Sequence, residues 1–158
     1  MRKQVVEQDV VKPNQTSPGT WLNLDALASV EITSEDPAFP IENALTTDDK
    51  SSGWRAGTLG PQTIRLQFDQ PQNIRRIHLR FVETQVERGQ EFLLNYTLED
   101  NARREIVRQQ WTFSPGGASE EVENYLINLE NVISVELTID PDRGLNRTYA
   151  TLAELRIA

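Results

Sequence analysis

The sequence has no cysteine, a single histidine (His78) and a single methionine. Without cysteine there are no disulfides, thiolate metal sites or thiol nucleophiles, and the redox compartment cannot be read from cysteine usage. One imidazole excludes any chemistry that needs two, including the two-histidine zinc helix of metalloproteases. Positive charge is scarce too: 16 Lys and Arg stand against 24 Asp and Glu, a net charge of −8 at pH 7. That balance opposes a nucleic-acid or anionic-membrane partner, because phosphates reward a basic face. Long apolar runs are absent. The opening MRKQVVEQDVV has no continuous apolar stretch of signal-peptide length, and nothing approaches the ~18 residues of a membrane span. The expectation is a soluble protein, with a cytoplasmic location favoured and no membrane insertion.

What is present is one domain's worth of chain: 158 residues, of which 37 % are hydrophobic. Residues 1–20 are polar and end in KPNQTSPGT, which reads as a flexible N-terminal arm. Residues 21–158 then form the domain. From Ala28 the hydrophobic period is two: Ala28, Val30 and Ile32, then Ile64, Leu66 and Phe68, then Ile77, Leu79 and Phe81. It recurs over Phe92–Leu98, Val107–Phe113, Tyr125–Leu129, Ile133–Ile139 and Ala153–Ile157, making eight strands. Turn signals separate them, at Asp69–Asn73 around Pro71, Arg88-Gly89, Asp100-Asn101, Ser114–Gly117, Glu130-Asn131 and Pro141–Gly144. Many short strands and no helical run of ~10 residues predict an all-β sandwich of jelly-roll type. Residues 34–62 break the rhythm, and within them only FPIENAL could make a turn or two of helix.

The order of features in and after this segment carries a resemblance. Phe39, NALTTDDKSSGW, then TIRLQFDQP and IRRIHLRF, resembles the discoidin-like domains, the C-type repeats of coagulation factors five and eight, within the galactose-binding-like jelly rolls. Ala44, Asp48, Ser52 and Trp54 take family positions, whereas Thr46 and Thr47 replace an Asp-Gly pair and the family's paired cysteines are missing. Arg88 with FLLNYTLED, and the closing ATLAELRIA, match a mid-domain strand and the last strand. The resemblance spans residues 21–158 and implies an eight-stranded jelly roll that binds a ligand and has no catalytic machinery. It also implies a structural calcium, with Asp48, Asp49, Ser52 and Glu154 as ligands; the other reading makes Asp48 and Asp49 solvated turn residues and pairs Glu154 with a surface arginine.

The loops hold the ligand candidates. Gln85 and Arg88 within Thr84–Gln90, and Arg143, Asn146, Arg147 and Tyr149 within Pro141–Tyr149, combine planar donors with an aromatic ring, the equipment of sugar recognition. Arg88 has a second reading, as a structural arginine spanning its loop. Trp54 is expected to anchor the long loop in the core, and Trp111 to face inward. Trp21 is expected to cap one end of the sandwich, with sugar stacking as the other reading. Arg76, His78 and Arg80 take the outward parity, as a basic stripe for an acidic partner or as a solvated face paired with Glu and Asp. A histidine on such a face has no cleft that excludes water, and no carboxylate pair is singled out by an apolar pocket pattern, so an enzyme is not expected. Carbohydrate is the leading ligand class, and a protein-docking scaffold domain of an intracellular complex is the alternative.

Overall fold

The computed structural model describes residues 21–46 and 52–158. The arm expected over residues 1–20, and Thr47, Asp48 and Asp49, lie outside the described residues. A one-turn helix, α1 (Leu24–Leu27), is capped by the Asn23 side chain, which accepts from the Ala26 amide, and leads into β1 (Ala28–Ile32). The expected helical turn in FPIENAL is α2 (Glu42–Leu45). Then follow β2 (Trp54–Leu59), β3 (Gln62–Val82), β4 (Arg88–Thr97), β5 (Arg103–Phe113), β6 (Glu120–Asp140), β7 (Tyr149–Leu152) and β8 (Glu154–Ile157). The strands among the described residues number eight, but they are not the eight read from the sequence.

Two expected strand pairs are each one long, bent strand. β3 contains both Ile64–Phe68 and Ile77–Phe81, and β6 contains both Tyr125–Leu129 and Ile133–Ile139. The turn signals between them become kinks instead of turns. Pro71 cannot donate to a ladder, and the β3–β6 register slips between Gln67 and Arg76. Opposite it, Asn131 sits at φ 59°, with its amide held by the Asn73 side chain at 3.1 Å. The kinks carry each strand from one layer to the other. Residues 62–67 lie between β1 and the end of β6, whereas residues 77–80 lie between the start of β6 and β8. β4 and β5 extend the first layer in the order β1-β3-β6-β4-β5.

The core fills the space between the layers. Phe81 of one stacks on Phe92 of the other, with ring centroids 5.3 Å apart, and Ile64, Leu66, Leu79, Leu94, Leu137 and Ile139 are fully buried around them. β2 and β7, which lie in segments read as loop, pair as a separate two-stranded sheet, Trp54 opposite Leu152 and Leu59 opposite Tyr149. Gly57 lets β2 approach the 34–53 segment, because a Cβ there would come within 2.7 Å of the Glu35 carbonyl. Trp54 is 1 % exposed and Ala44 is fully buried, so the long connection is pinned from both ends as its tryptophan predicts. No helix among the described residues is long and apolar enough to cross a membrane.

Candidate functional site

Chain direction places the two ligand-candidate loops at the same end of the sandwich. The 83–87 turn leaves the end of β3, Arg88 opens β4 beside the end of β6, and the 141–148 loop follows β6 directly. Their contacts are specific. Arg88 reaches across to the Pro141 carbonyl at 2.7 Å, and the Arg143 guanidinium lies over Gly89, where a Cβ would meet its Nε at 2.8 Å. A side chain at position 89 would displace that guanidinium.

Asp142, which the sequence reading did not single out, organises the larger loop. Its carboxylate accepts from the amides of Asn146 (3.0 Å), Arg147 (2.7 Å) and Thr148 (3.0 Å) and from the Thr148 hydroxyl (3.0 Å). Burial pushes the Asp142 carboxyl up, but the donors from Arg147, Thr148 and Asn146 outweigh it, so it stays below its ordinary value. Asp140 adds a bond to the Gly144 amide. Arg143 and Asn146 accordingly hold left-handed backbone, at φ 54° and 57°. The loop is thus fixed by buried acids while Arg143, Asn146, Arg147 and Tyr149 remain exposed. The Asn146 side chain packs at Gly60, and the Tyr149 ring carries the Arg55 guanidinium 4.7 Å from its centroid. One face of the expected sugar platform is therefore already covered, by an arginine the sequence reading left out. Gln85 is exposed on the facing turn.

Arg88 is corrected. Its side chain is buried, paired with Glu83 at 2.8 Å, bonded to Gln90 at 3.0 Å, and stacked over Phe113. It spans its loop as a structural arginine and offers nothing to a ligand. Gln90 continues the chain inward to Glu121 at 3.4 Å. Glu121 is fully buried; burial, then the hydrogen bond and charge of neighbouring Glu123, raise its carboxyl to about 8 against the opposing Gln90 amide. Extending the period-two parity of Tyr125 and Ile127 back to residues 121 and 123 would have exposed this inward acidic pair.

Of the expected calcium ligands only Ser52 and Glu154 fall among the described residues. Ser52 is exposed, and Glu154 faces the outer side of the second layer, accepting from Arg80 at 2.8 Å and pairing with Arg156. Those two guanidiniums and His78 hold the Glu154 carboxyl below its ordinary value despite burial, which is the paired reading of this residue. Among the described residues no three His, Asp or Glu side chains gather as a metal site. The basic stripe is satisfied in the same way. Arg80 also meets Glu120, His78 meets Asn124, and Arg76 is buried beneath the Trp21 ring at 4.1 Å. Trp21 packs over Arg76 and beside His78 on the outward side of β3, which is not the end-capping position expected of it, and Trp111 is half-buried against the core.

A cavity of about 840 Å³ lies elsewhere, lined by Trp21, Val30, Leu45 and Leu66 among others. Its lining mixes Asn23, Asp25 and Glu42 with apolar side chains and holds no arginine, whereas the loop end gathers planar donors beside an aromatic ring. The loop end is the better candidate.

No family model matches the sequence, and no curated protein matches it. Solved structures do. A CBM32 module from a family 31 glycoside hydrolase of Clostridium perfringens aligns with TM-score 0.64 at 18 % identity, over 88 % of this chain and 94 % of that one. A pectin-binding carbohydrate-binding module aligns at 0.60 and 17 %, over 83 % and 89 %. The family 32 module of C. perfringens NanJ, solved with galactose, aligns at 0.60 and 15 %, over 87 % and 97 %. At these identities the likeness establishes the fold: a discoidin-like, galactose-binding-like jelly roll of the kind seen in CBM32 modules.

Proposed function

We propose that this chain is a non-catalytic carbohydrate-binding module whose ligand seat is the 141–149 loop with the facing 83–87 turn. The observation that carries the reading is the Asp142-centred loop. Part-buried hydrogen bonds to Asp142 brace it from within while it presents Asn146, Arg147 and Tyr149 outward, so less ordering entropy is lost on binding. The galactose and pectin named for fold neighbours support a saccharide as the ligand class. The docking alternative depended on Arg76 and Arg80, and both are engaged within the chain.

A glycan array followed by titration of the hits tests the reading. Asn146→Gly, which the left-handed backbone there accepts, and Tyr149→Ala, at the exposed start of β7, are expected to lose binding at least tenfold while keeping a cooperative melt no more than about 5 °C below wild type. Hits that both variants retain unchanged would move the ligand elsewhere on the molecule.

Structural calcium is part of the proposal, resting on Asp48, Asp49 and Ser52, since both oxygens of Glu154 are committed to arginines. Calcium is expected to stabilise EDTA-treated protein by about 2.7 kcal/mol at a hundredfold excess over Kd, read as a higher melting temperature, and Asp48→Asn to abolish the rise.

A further inference from the structure

Most arginines among the described residues have a partner within the chain. Arginines elsewhere among the described residues are taken by carboxylates, as Arg65 by Glu31, Arg103 by Glu136 and Arg104 by Asp100. Arg75 bonds the Leu129 carbonyl, and Arg76 stacks on Trp21. Arg55, Arg143 and Arg147 differ. All are exposed, and none forms an ion pair or side-chain hydrogen bond with another described residue. All lie at the one end built by β2, β7 and the 141–148 loop.

Their surroundings deepen the anomaly. The loop's own acids are turned inward: Asp142 is saturated by backbone amides and the Thr148 hydroxyl, and Asp140 by the Gly144 amide. Two of the guanidiniums have a fixed neighbour, Arg55 over the Tyr149 ring and Arg143 against Gly89. In a chain of net charge −8, three exposed guanidiniums gathered at one end without an acid among the described residues make a local positive field that favours an external anion. Planar forks of this kind suit oxyanions, which they bind bidentately. Tyr149, 38 % exposed beside Arg55, and Leu59, 48 % exposed opposite it, add apolar surface for a sugar ring.

We infer that the ligand is an anionic saccharide, whose uronate carboxylate or sulfate group is taken by Arg55, Arg143 and Arg147. This rests on the carbohydrate-binding reading and adds the charge of the ligand to it.

The test compares polygalacturonate, its fully methyl-esterified form, a sulfated galactan and a neutral galactan by titration at low and high salt. Variants are Arg143→Ala, Arg147→Ala and the double Arg143→Glu/Arg147→Glu, each checked for unchanged melting. Expected is binding of polygalacturonate or of the sulfated galactan, at least tenfold stronger than of the neutral or esterified polymer. It should weaken with salt, and by a further tenfold or more in the double variant. Preference for polygalacturonate assigns the anion as carboxylate, and preference for the sulfated polymer assigns it as sulfate. Equal or tighter binding of the neutral galactan, or an anionic ligand untouched by the double variant, overturns this inference and leaves the carbohydrate-binding reading standing. Failure to bind any saccharide, on this panel or on the array, overturns that reading and the inference with it.

Discussion

Asp142 and Glu121 are two buried carboxyls with opposite chemistry, and the difference is what donates to them. Asp142 collects amides and stays ionised, so Asp142→Ala strands those amides without an acceptor. The expected loss is ~2–3 kcal/mol, a drop in melting temperature of about 4–10 °C, with ligand binding lost as the loop loosens. Asp142→Asn, which keeps one acceptor oxygen, is expected to recover part of the stability. Glu121 has only the distant Gln90 amide and the like-charged Glu123. In the unfolded chain its carboxyl titrates near its ordinary 4.5, and in the fold at about 8. Below pH 4.5 both states hold the proton; between 4.5 and 8 the unfolded chain releases it and the folded one does not, so stability falls across that window and levels off above it. Glu121→Gln should flatten this slope and melt above wild type at pH 8.5, on the order of 5 °C higher. A slope unchanged in the variant, in melts run from pH 4 to 9, would place the proton on another group.

At the scale of elements, residues 34–46 show how a segment without a ladder is held. Ser34 bonds Gln62 at 2.6 Å and the Gly57 amide at 2.9 Å, Glu35 holds the Ile41 amide at 2.7 Å, and Trp54 closes the packing. Trp54→Ala is expected to cost ~3–5 kcal/mol, read as a melting temperature lower by ~10 °C or more. A melt within a degree or two of wild type would show that the polar anchors alone order the segment. The long strands make the complementary point. Pro71 and Asn131 are turn residues by every local rule, yet each sits inside a strand, because pairing on both sides of the kink outweighs the local preference for reversal.

Over the whole molecule, polar work is divided between the faces and one end. The outer faces carry self-neutralising rows, such as Glu31, Arg65 and Glu136 at matched register, and exposed pairs of this sort contribute little to stability. The loop end keeps its cations unpaired. Binding and folding therefore rest on different residues: Arg143→Ala and Arg147→Ala are expected to leave the melting temperature within about 2 °C while changing ligand affinity, whereas Trp54→Ala changes the melt. A large loss of stability in either arginine variant would mean that these side chains hold the loop.

The amino-acid sequence by itself determined the class of fold, the inward and outward parity around Ile77, Leu79 and Phe81, the burial of Trp54, and the two loops that hold the candidate site. All of these follow from local period and turn chemistry, which a chain carries residue by residue. Tertiary structure decided what depends on residues far apart in the chain. It merged four expected strands into two, made strands of Trp54–Leu59 and Tyr149–Leu152, and removed Arg88 from the ligand set by burying it against Glu83 and Pro141. It set Arg55 on Tyr149 and left Arg143 and Arg147 without acids. No local pattern encodes which carboxylate meets which arginine, because that choice is made by strand register and loop closure once the core has packed.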